Sequence, residues 1–251
     1  MLENIISDEV YKDNILEKKY VKEKIKKISF SKMKKKSKYI IKRKNLIIAE
    51  KKVFSPSIGF NSKFNKKIFK EKKNKNNILF LSKLTNSKFF NGRIFKKKGN
   101  FLRKDFIFDY YQMLFTLLRE YNFVLLIKKN LSIKKIINLI KISNFLGITT
   151  IVELCSIKEL KEIIESKVKN IFLGINSRNL SNFLNERKPY FFLIKKKKMI
   201  IYESGIINKN EMIKINNIGF KITLIGENFA KKNFYYEKNR EVHKKKNKFN
   251  K

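Results

Sequence analysis

The sequence is poor in the residues that build redox, metal and histidine-based sites. It contains one cysteine, Cys155, and one histidine, His243, which lies in a basic tail. A single thiol disfavours any disulfide within the chain or multi-thiolate metal site, which suits a reducing compartment, and we interpret Cys155 as a buried, unreactive thiol. Histidine triads and imidazole metal sites are disfavoured too, so we expect no metal and assign proton transfer to lysine and glutamate.

Nucleotide-binding and membrane signals are also missing. Neither GxGxxG nor GxxxxGK[ST] occurs, so nothing supports a dinucleotide or nucleoside triphosphate site, and we expect no cofactor. The first residues are acidic, whereas a signal sequence begins with basic residues that are followed by an apolar run. No apolar run approaches the length of roughly 20 residues that is needed to cross a bilayer. We therefore expect a cytoplasmic protein without a membrane segment.

Acidic residues are scarce relative to basic ones. Lys and Arg number 61 against 21 Asp and Glu, giving a formal net charge of +40. Such a charge attracts phosphates, and a basic polyanion-binding protein is one alternative function. However, lysine is spread along nearly every segment beside abundant Ile, Asn, Phe and Tyr, all encoded by AT-rich codons, so base composition explains the charge equally well. We expect no specific nucleic-acid partner, but we do expect self-repulsion at low ionic strength.

Hydrophobic residues make up 43% of the chain, enough for a folded core, and from about Leu46 onward short apolar runs alternate with amphipathic runs. The eight strand candidates are 46–50, 77–82, 101–106, 123–128, 149–154, 170–176, 199–204 and 222–227. Nearly continuous apolar strands that alternate with helices are typical of a parallel sheet covered by helices. Eight such units predict an α/β fold of the (β/α)8 TIM barrel type, with a doubly wound open sheet as the alternative.

Helix signals separate several of these runs. Residues 109–122 carry apolar side chains at three-four spacing, Ser156 and Glu159 fit a capping box, and a further helix should begin at Ser132 and end at Gly147. Residues 1–44 predict an N-terminal helical extension, and its proposed apolar face consists of Ile5, Val10, Ile15 and Val21. The barrel should span 45–230, followed by a basic tail or degenerate last helix at 231–251.

Polar residues end several of the apolar runs, where barrel enzymes place their sites. They are Glu50, Lys52, Lys104, Glu153, Asn176 and Glu203. Because side chains alternate across a strand, Lys104 should point to the barrel axis while Arg103 and Asp105 point to the helices. The alternative is that such a lysine is merely solvated at a strand end. Three glutamates after hydrophobic runs favour a shared site.

Several motifs resemble the indole-3-glycerol-phosphate synthase family. The first is AEKKVFSPSIG at 49–59 and the second is LRKDFIFDYYQ at 102–112. Further matches, in family order, are LSKLTNSKFFNG at 81–92, VLLI at 124–127, VE at 152–153, GINSRNL at 174–180, ESGI at 203–206 and IGE at 225–227. The resemblance covers about four fifths of the chain. It implies ring closure of 1-(2-carboxyphenylamino)-1-deoxyribulose 5-phosphate to indole-3-glycerol phosphate with loss of carbon dioxide and water, in tryptophan biosynthesis.

The resemblance also implies roles for the strand-end residues. Lys104 corresponds to the general acid of ring closure, Glu153 to the carboxylate of dehydration, Glu50 to a second acid or base, and Lys52 to a cation that holds the substrate and shares acid work. The substrate-binding residues implied are Asn176, Arg178, Glu203 and Ser204, and the phosphate-binding residues are Ser55, Gly205 and Gly226. The expected partner is a phosphorylated small molecule. Burial and the adjacent Lys52 should lower the pKa of Lys104, although a carboxylate neighbour would oppose this.

Some features depart from the family pattern. The connection at 93–101 is short, and the last helix lacks an apolar stripe. They predict a marginally stable barrel that is stabilised by its ligand or a partner, either as a monomer or in association with another tryptophan-pathway enzyme. A degenerate phosphate-binding barrel with little activity is the remaining alternative. Phosphoribosylanthranilate isomerase is disfavoured, because its Cys and Asp pair has no counterpart at the first and fifth strand ends.

Overall fold

The computed structural model describes residues 2–25, 46–51, 54–55, 59–60, 78–83, 101–177, 199–226 and 229. The strands are β1 (Leu46–Lys51), β2 (Phe54–Ser55), β3 (Gly59–Phe60), β4 (Ile78–Lys83), β5 (Phe101–Lys104), β6 (Phe123–Ile127), β7 (Thr149–Leu154), β8 (Ile171–Asn176), β9 (Ile200–Glu203) and β10 (Ile222–Ile225). The helices are α1 (Leu2–Ile25), α2 (Tyr110–Leu118), α3 (Ile133–Phe145), α4 (Ile157–Glu165) and α5 (Lys209–Asn217). None of the described helices is long and apolar enough to cross a membrane.

Eight parallel strands form a closed barrel in the order β1, β10, β9, β8, β7, β6, β5, β4. The barrel closes where Leu46 pairs with Ile222 and Ala49 with Ile225. Each of the eight apolar runs supplies one strand, so the predicted (β/α)8 class is confirmed. β2 and β3 form a separate antiparallel pair. Several strands end earlier than predicted: β5 stops at Lys104, where its last pairing with Leu125 of β6 occurs, so Phe106 lies beyond it.

Alternation along the strands divides the core into two layers. Leu102, Phe123 and Leu125 belong to the cluster inside the barrel, whereas Val124 and Leu126 belong to the cluster between the strands and the helices. Burial of each such side chain contributes about 1.5–3 kcal/mol, so the two layers together fix which side chains of these strands point inward and which point outward. A one-residue slip would exchange the layers, which is why the polar side chains at strand ends have a defined direction.

Side-chain caps begin the helices that follow the strands. Asp109 accepts from Tyr111 N while Gln112 accepts from Asp109 N, which forms a capping box for α2. Ser132 caps α3, which ends before Gly147 at a positive φ of 73°, as predicted. The Ser156 cap of α4 is also confirmed, but Glu159 accepts from Cys155 N instead of Ser156 N. Cys155 is buried, in agreement with its interpretation.

The N-terminal helix α1 packs against α2. Tyr20 contacts Phe115 edge to face at 5.5 Å, and the Arg119 guanidinium lies 4.5 Å from the Tyr20 ring centroid. Ile15 and Val21 were both expected on the apolar face of this helix. The prediction is wrong for Ile15, which is 51% exposed, whereas Val21 is fully buried. The side chains of Ile5 and Val10, residues 93–100 of the short connection and the tail at 231–251 fall outside what the structure describes. The three domain boundaries remain predictions.

Candidate active site

Charged and polar side chains from different strands meet at one end of the barrel. Lys104 Nζ of β5 lies 3.0 Å from Glu153 Oε2 of β7 and donates to it. Asn176 Nδ2 of β8 donates to the other oxygen, Glu153 Oε1, at 2.7 Å. The Glu153 carboxylate is thus held on both oxygens, one by a cation and one by an amide, with its side chain only 5% exposed. The Lys104 side chain is 21% exposed, so it is not a freely solvated strand end.

Strand alternation accounts for these directions. Lys104 follows Leu102 by two residues and Glu153 follows Ile151 by two, and both apolar residues lie inside the barrel. Arg103 has the opposite direction: it is fully buried, and its guanidinium bonds Gln112 O and Thr116 Oγ1 of α2. Asp105 accepts from the same guanidinium. The predicted inward direction of Lys104 and outward direction of its two neighbours are therefore confirmed.

Glu203 of β9 lies beside this pair, in a space made by a glycine. Glu203 is 1% exposed, and with both acids ionised its oxygens have no hydrogen-bond donor among the described residues. A Cβ on Gly174 of β8 would overlap Glu203 Oε1 and lie 3.0 Å from its Cδ. Gly174 therefore provides the room for the buried carboxyl group. The motif analysis did not assign it a role, although a glycine inside an apolar strand often indicates a close approach.

A second glycine adjoins Glu50, the acid at the end of β1. Glu50 is 7% exposed, and a Cβ on Gly226 would lie 2.6 Å from Glu50 Oε2. Gly226 directly follows β10, the strand that pairs with β1 at the closure of the barrel. Both close approaches leave room for a carboxyl group within the barrel end.

The protonation of these groups follows from their packing. Burial raises the pKa of Glu153, but Lys104, Asn176 and a hydrogen bond with Glu203 outweigh burial, and its pKa lies below the ordinary value. Burial and the charge of Glu153 raise the pKa of Glu203 well above its ordinary range. Glu203 is accordingly the acid of this pair that holds a proton, and once protonated it can donate to Glu153.

The pKa of Lys104 changes in the direction opposite to the one expected. Burial disfavours its charged form, but Glu153, Glu203 and Glu50 together outweigh burial and raise its pKa. The expectation of a lowered pKa gave too little weight to the carboxylates. Lys104 is an ammonium ion at neutral pH, so the group of described residues contains a permanent proton donor beside an ionised proton acceptor, Glu153.

A tight turn follows β9. Ser204 and Gly205 both have positive φ, 70° and 71°, and such a value at a non-glycine residue costs about 1–2 kcal/mol. A Cβ on Gly205 would lie 2.7 Å from Ser177 Oγ, at the end of β8. This close approach brings the segment after β9 against the segment after β8. Ser177 had no predicted role.

Some predicted site residues cannot be compared with this geometry. Lys52 and Arg178 lie outside the described residues, and Ser55 is described only as a backbone position in β2. The roles assigned to these and to the other site residues remain predictions. Within the described part of the chain, no group of three His, Cys, Asp or Glu residues could hold a metal ion.

Comparison with known structures addresses the fold. The crystal structure of KGPDC from Streptococcus mutans has a TM-score of 0.51 and 11% identity, covering 75% of this chain and 90% of that one. A tryptophan synthase complex from Pyrococcus furiosus gives 0.50 and 9%, covering 75% and 89%. At these identities the likeness shows the fold alone.

Comparison of sequences addresses the family. The indole-3-glycerol phosphate synthase of Campylobacter jejuni subsp. doylei is 35% identical over 196 residues, covering 74% of this chain and 75% of that protein. The enzyme of the same name from Aliarcobacter butzleri is 30% identical and covers 74% of each chain. The match to that of Campylobacter hominis, 33% identical, spans about half of either protein, 53% and 51%. The family model described as indole-3-glycerol phosphate synthase matches residues 6–242. The chain therefore belongs to the indole-3-glycerol phosphate synthase family.

Proposed function

We propose that this chain converts 1-(2-carboxyphenylamino)-1-deoxyribulose 5-phosphate to indole-3-glycerol phosphate, carbon dioxide and water, and thus acts as a carboxy-lyase in tryptophan biosynthesis. The observation that carries the proposal is the 3.0 Å contact between Lys104 Nζ and Glu153 Oε2 in the end of a barrel of this family. It joins a proton donor to a proton acceptor, and the reaction needs both.

The first half of the reaction forms the new ring. The ring carbon that bears the carboxylate attacks the ketone carbon of the sugar, and the ketone oxygen takes a proton from Lys104. The bond to the carboxylate then breaks and carbon dioxide leaves, which restores the aromatic ring. Although a raised pKa makes Lys104 a weak acid toward water, a developing alkoxide is a strong base, and the fully protonated state of Lys104 ensures that a proton is present.

The second half removes water. The hydroxyl made from the ketone leaves as water after it takes a proton from an acid, and the neighbouring carbon loses a proton to Glu153, which is ionised in the free protein, as the new double bond forms. Glu50 supplies a second acid or base nearby. No step of the proposed reaction needs a redox group or a metal, and we propose that it takes place in the cytoplasm.

The remaining residues would bind the substrate. Asn176, Arg178, Glu203 and Ser204 would hold its ring and hydroxyl groups, with Lys52 near its carboxylate or phosphate. Ser55, Gly205 and Gly226 would form the phosphate site, because glycine lets backbone N–H groups approach an anion. The net charge of +40 would assist capture of a substrate that carries at least two negative charges.

The test is a fluorescence assay of indole-3-glycerol phosphate formation by the purified full chain. Lys104→Ala and Glu153→Gln should each lower kcat by about 10²–10⁴-fold, because each removes a proton-transfer group. Lys129→Ala, which removes an exposed lysine after β6, should leave kcat unchanged. Wild-type turnover in both site variants would refute the assigned roles, and a wild-type protein without turnover would refute the activity.

A further inference from the structure

Arg103, the residue before Lys104, is buried in a polar network on the outside of the barrel. Its Nη1 donates to Gln112 O at 2.8 Å and Thr116 Oγ1 at 3.1 Å. Its Nη2 donates to Asp105 Oδ2 at 3.2 Å and to Glu17 Oε1 at 2.5 Å. The Arg103 side chain is fully buried and that of Glu17 is 9% exposed. A guanidinium ion at this depth needs nearby carboxylates to offset its loss of hydration.

Glu17 differs from the other partners of Arg103 in its origin. Asp105, Gln112 and Thr116 belong to the segment that runs from the end of β5 into α2, whereas Glu17 belongs to α1 and precedes Arg103 by 86 residues. On α1, the buried Asn14, Glu17 and Val21 are spaced by three and four residues and therefore share one helix face. The buried face of the N-terminal helix thus brings a carboxylate to the outer side of β5.

Arg103 and Lys104 are adjacent residues that point to opposite sides of β5. The Arg103 contacts fix the strand end from outside, while the 3.0 Å contact between Lys104 and Glu153 depends on that position from inside. β5 pairs with β6 only as far as Lys104, so within the described part of the chain β6 gives the segment beyond Lys104 no further ladder hydrogen bond. The network around Arg103 therefore restrains the outer side of this strand end, together with Gln112 Nε2, which donates to Phe106 O at 2.9 Å.

We infer that Glu17 is a positioning residue, which holds Lys104 against Glu153 through Arg103 and makes the N-terminal helix part of the catalytic apparatus. The expected change in kcat rests on the proposed function, whereas the expected displacement of Lys104 does not. When Glu17 loses its charge, Asp105 is the remaining anion bonded to Arg103 among the described residues, and the guanidinium must rearrange toward it. The rearrangement moves the backbone at residues 103–105, and with it Lys104.

A neighbouring ion pair provides a matched control. Lys18, the next residue on α1, lies 3.3 Å from Asp109 Oδ2 and 5.6 Å from the Tyr111 ring centroid. Lys18→Met therefore removes a contact between α1 and the start of α2 without touching Arg103. If α1 only covers the barrel, Glu17→Gln and Lys18→Met should affect the site alike. If Glu17 positions Lys104, only Glu17→Gln should affect it.

The experiment measures kcat, KM, thermal stability and the titration of the Glu153 carboxyl by ¹³C NMR, assigned with Glu153→Gln. Glu17→Gln should lower kcat by about 10–100-fold with little change in KM, since a displacement of about 1 Å has effects of this size. The pKa of Glu153 should rise, because a displaced Lys104 stabilises its ionised form less. Neither variant removes any of the other titratable or charged groups around this pair. Near Lys104 these are Glu203 and Glu50, and near Arg103 they are Tyr121 and Arg119. Lys18→Met should leave kcat and the Glu153 titration as in the wild type.

Unchanged kcat and an unchanged Glu153 titration in Glu17→Gln would overturn the inference, whatever the change in melting temperature. If Glu17→Gln does not fold, Glu17→Asp keeps the charge one methylene shorter and should shift the titration in the same direction, and no shift would overturn the inference. A wild-type protein without turnover would refute the proposed function, yet the titration would still decide whether Glu17 positions Lys104.

Discussion

The buried acid Glu203 allows a prediction in which stability and activity change in opposite directions. Glu203→Gln keeps the shape of the side chain but cannot ionise. In the wild type this carboxyl is 1% exposed and lies beside Glu153, and its oxygens have no donor among the described residues when both acids are ionised. An amide at this position can donate to Glu153 permanently. We therefore expect Glu203→Gln to be more stable than the wild type at neutral pH and less active.

The sign of this stability difference follows from the raised pKa of Glu203. In the unfolded chain this carboxyl has a pKa of about 4.3, so near pH 4 both states hold the proton and the wild type carries little penalty. As the pH rises toward the higher folded pKa, only the unfolded state releases its proton, and the free energy of unfolding falls. The glutamine variant lacks this loss. Its advantage should grow from near zero at about pH 4 to about 1–3 kcal/mol at about pH 7, since each pH unit between the unfolded and the folded pKa costs the wild type up to about 1.4 kcal/mol.

Urea unfolding of the wild type and variant between about pH 4 and pH 8 measures this difference, and effects of the high net charge cancel in it. Glu153→Gln is the matched control, since it makes the same substitution on the neighbouring acid. Because the pKa of Glu153 is lowered, its stabilisation is present above the unfolded pKa and is lost as the pH falls. Glu153→Gln should thus lose about 1–3 kcal/mol at neutral pH. A Glu203→Gln variant that is destabilised at neutral pH, or equally affected at every pH, would refute the reasoning.

Two further predictions concern packing and charge. Gly174→Ala should displace Glu203, lower kcat by about 10²-fold and lower the free energy of unfolding by about 1–3 kcal/mol. Gly147→Ala is the control, because Gly147 has a φ of 73° but is distant from the site. It should lower the free energy of unfolding by about 1–2 kcal/mol and keep the wild-type kcat. The fluorescence assay and urea unfolding separate the two, and equal kcat would contradict the role of Gly174. The melting temperature should rise between about 10 and 150 mM NaCl, because the Debye length falls from about 30 to 8 Å and self-repulsion at +40 weakens; a decrease would contradict this.

The barrel and the facing of its strand ends were predictable because both depend on local periodicity. Apolar runs alternate with amphipathic ones, and alternation within LRKD separates Lys104 from Arg103. The end of each strand was less predictable, since it depends on where the neighbouring strand stops pairing. β5 ends at Lys104 because its pairing with β6 ends there, although two more residues fit the pattern.

Features that depend on contacts between distant segments could not be predicted. The buried face of α1 was assigned by apolar residues, but Ile15 lies six residues before Val21, on another side of the helix, and is exposed. The buried face of α1 instead contains Glu17, whose partner Arg103 comes much later in the sequence. Similarly, the direction of the Lys104 pKa shift required the positions of three glutamates from three other strands.

The pairing of β1 with β10 means that the first and last strands of the barrel complete each other. Glu50 lies beside Gly226 only when β10 has been added to the barrel. In an unfinished polypeptide that lacks residues 222–226, Glu50 therefore lacks this neighbour. Until then Leu46–Lys51 is an open strand edge, which can pair with other chains. Lysine-rich surfaces repel one another, so the excess of positive charge would protect the nascent molecule from aggregation during this interval.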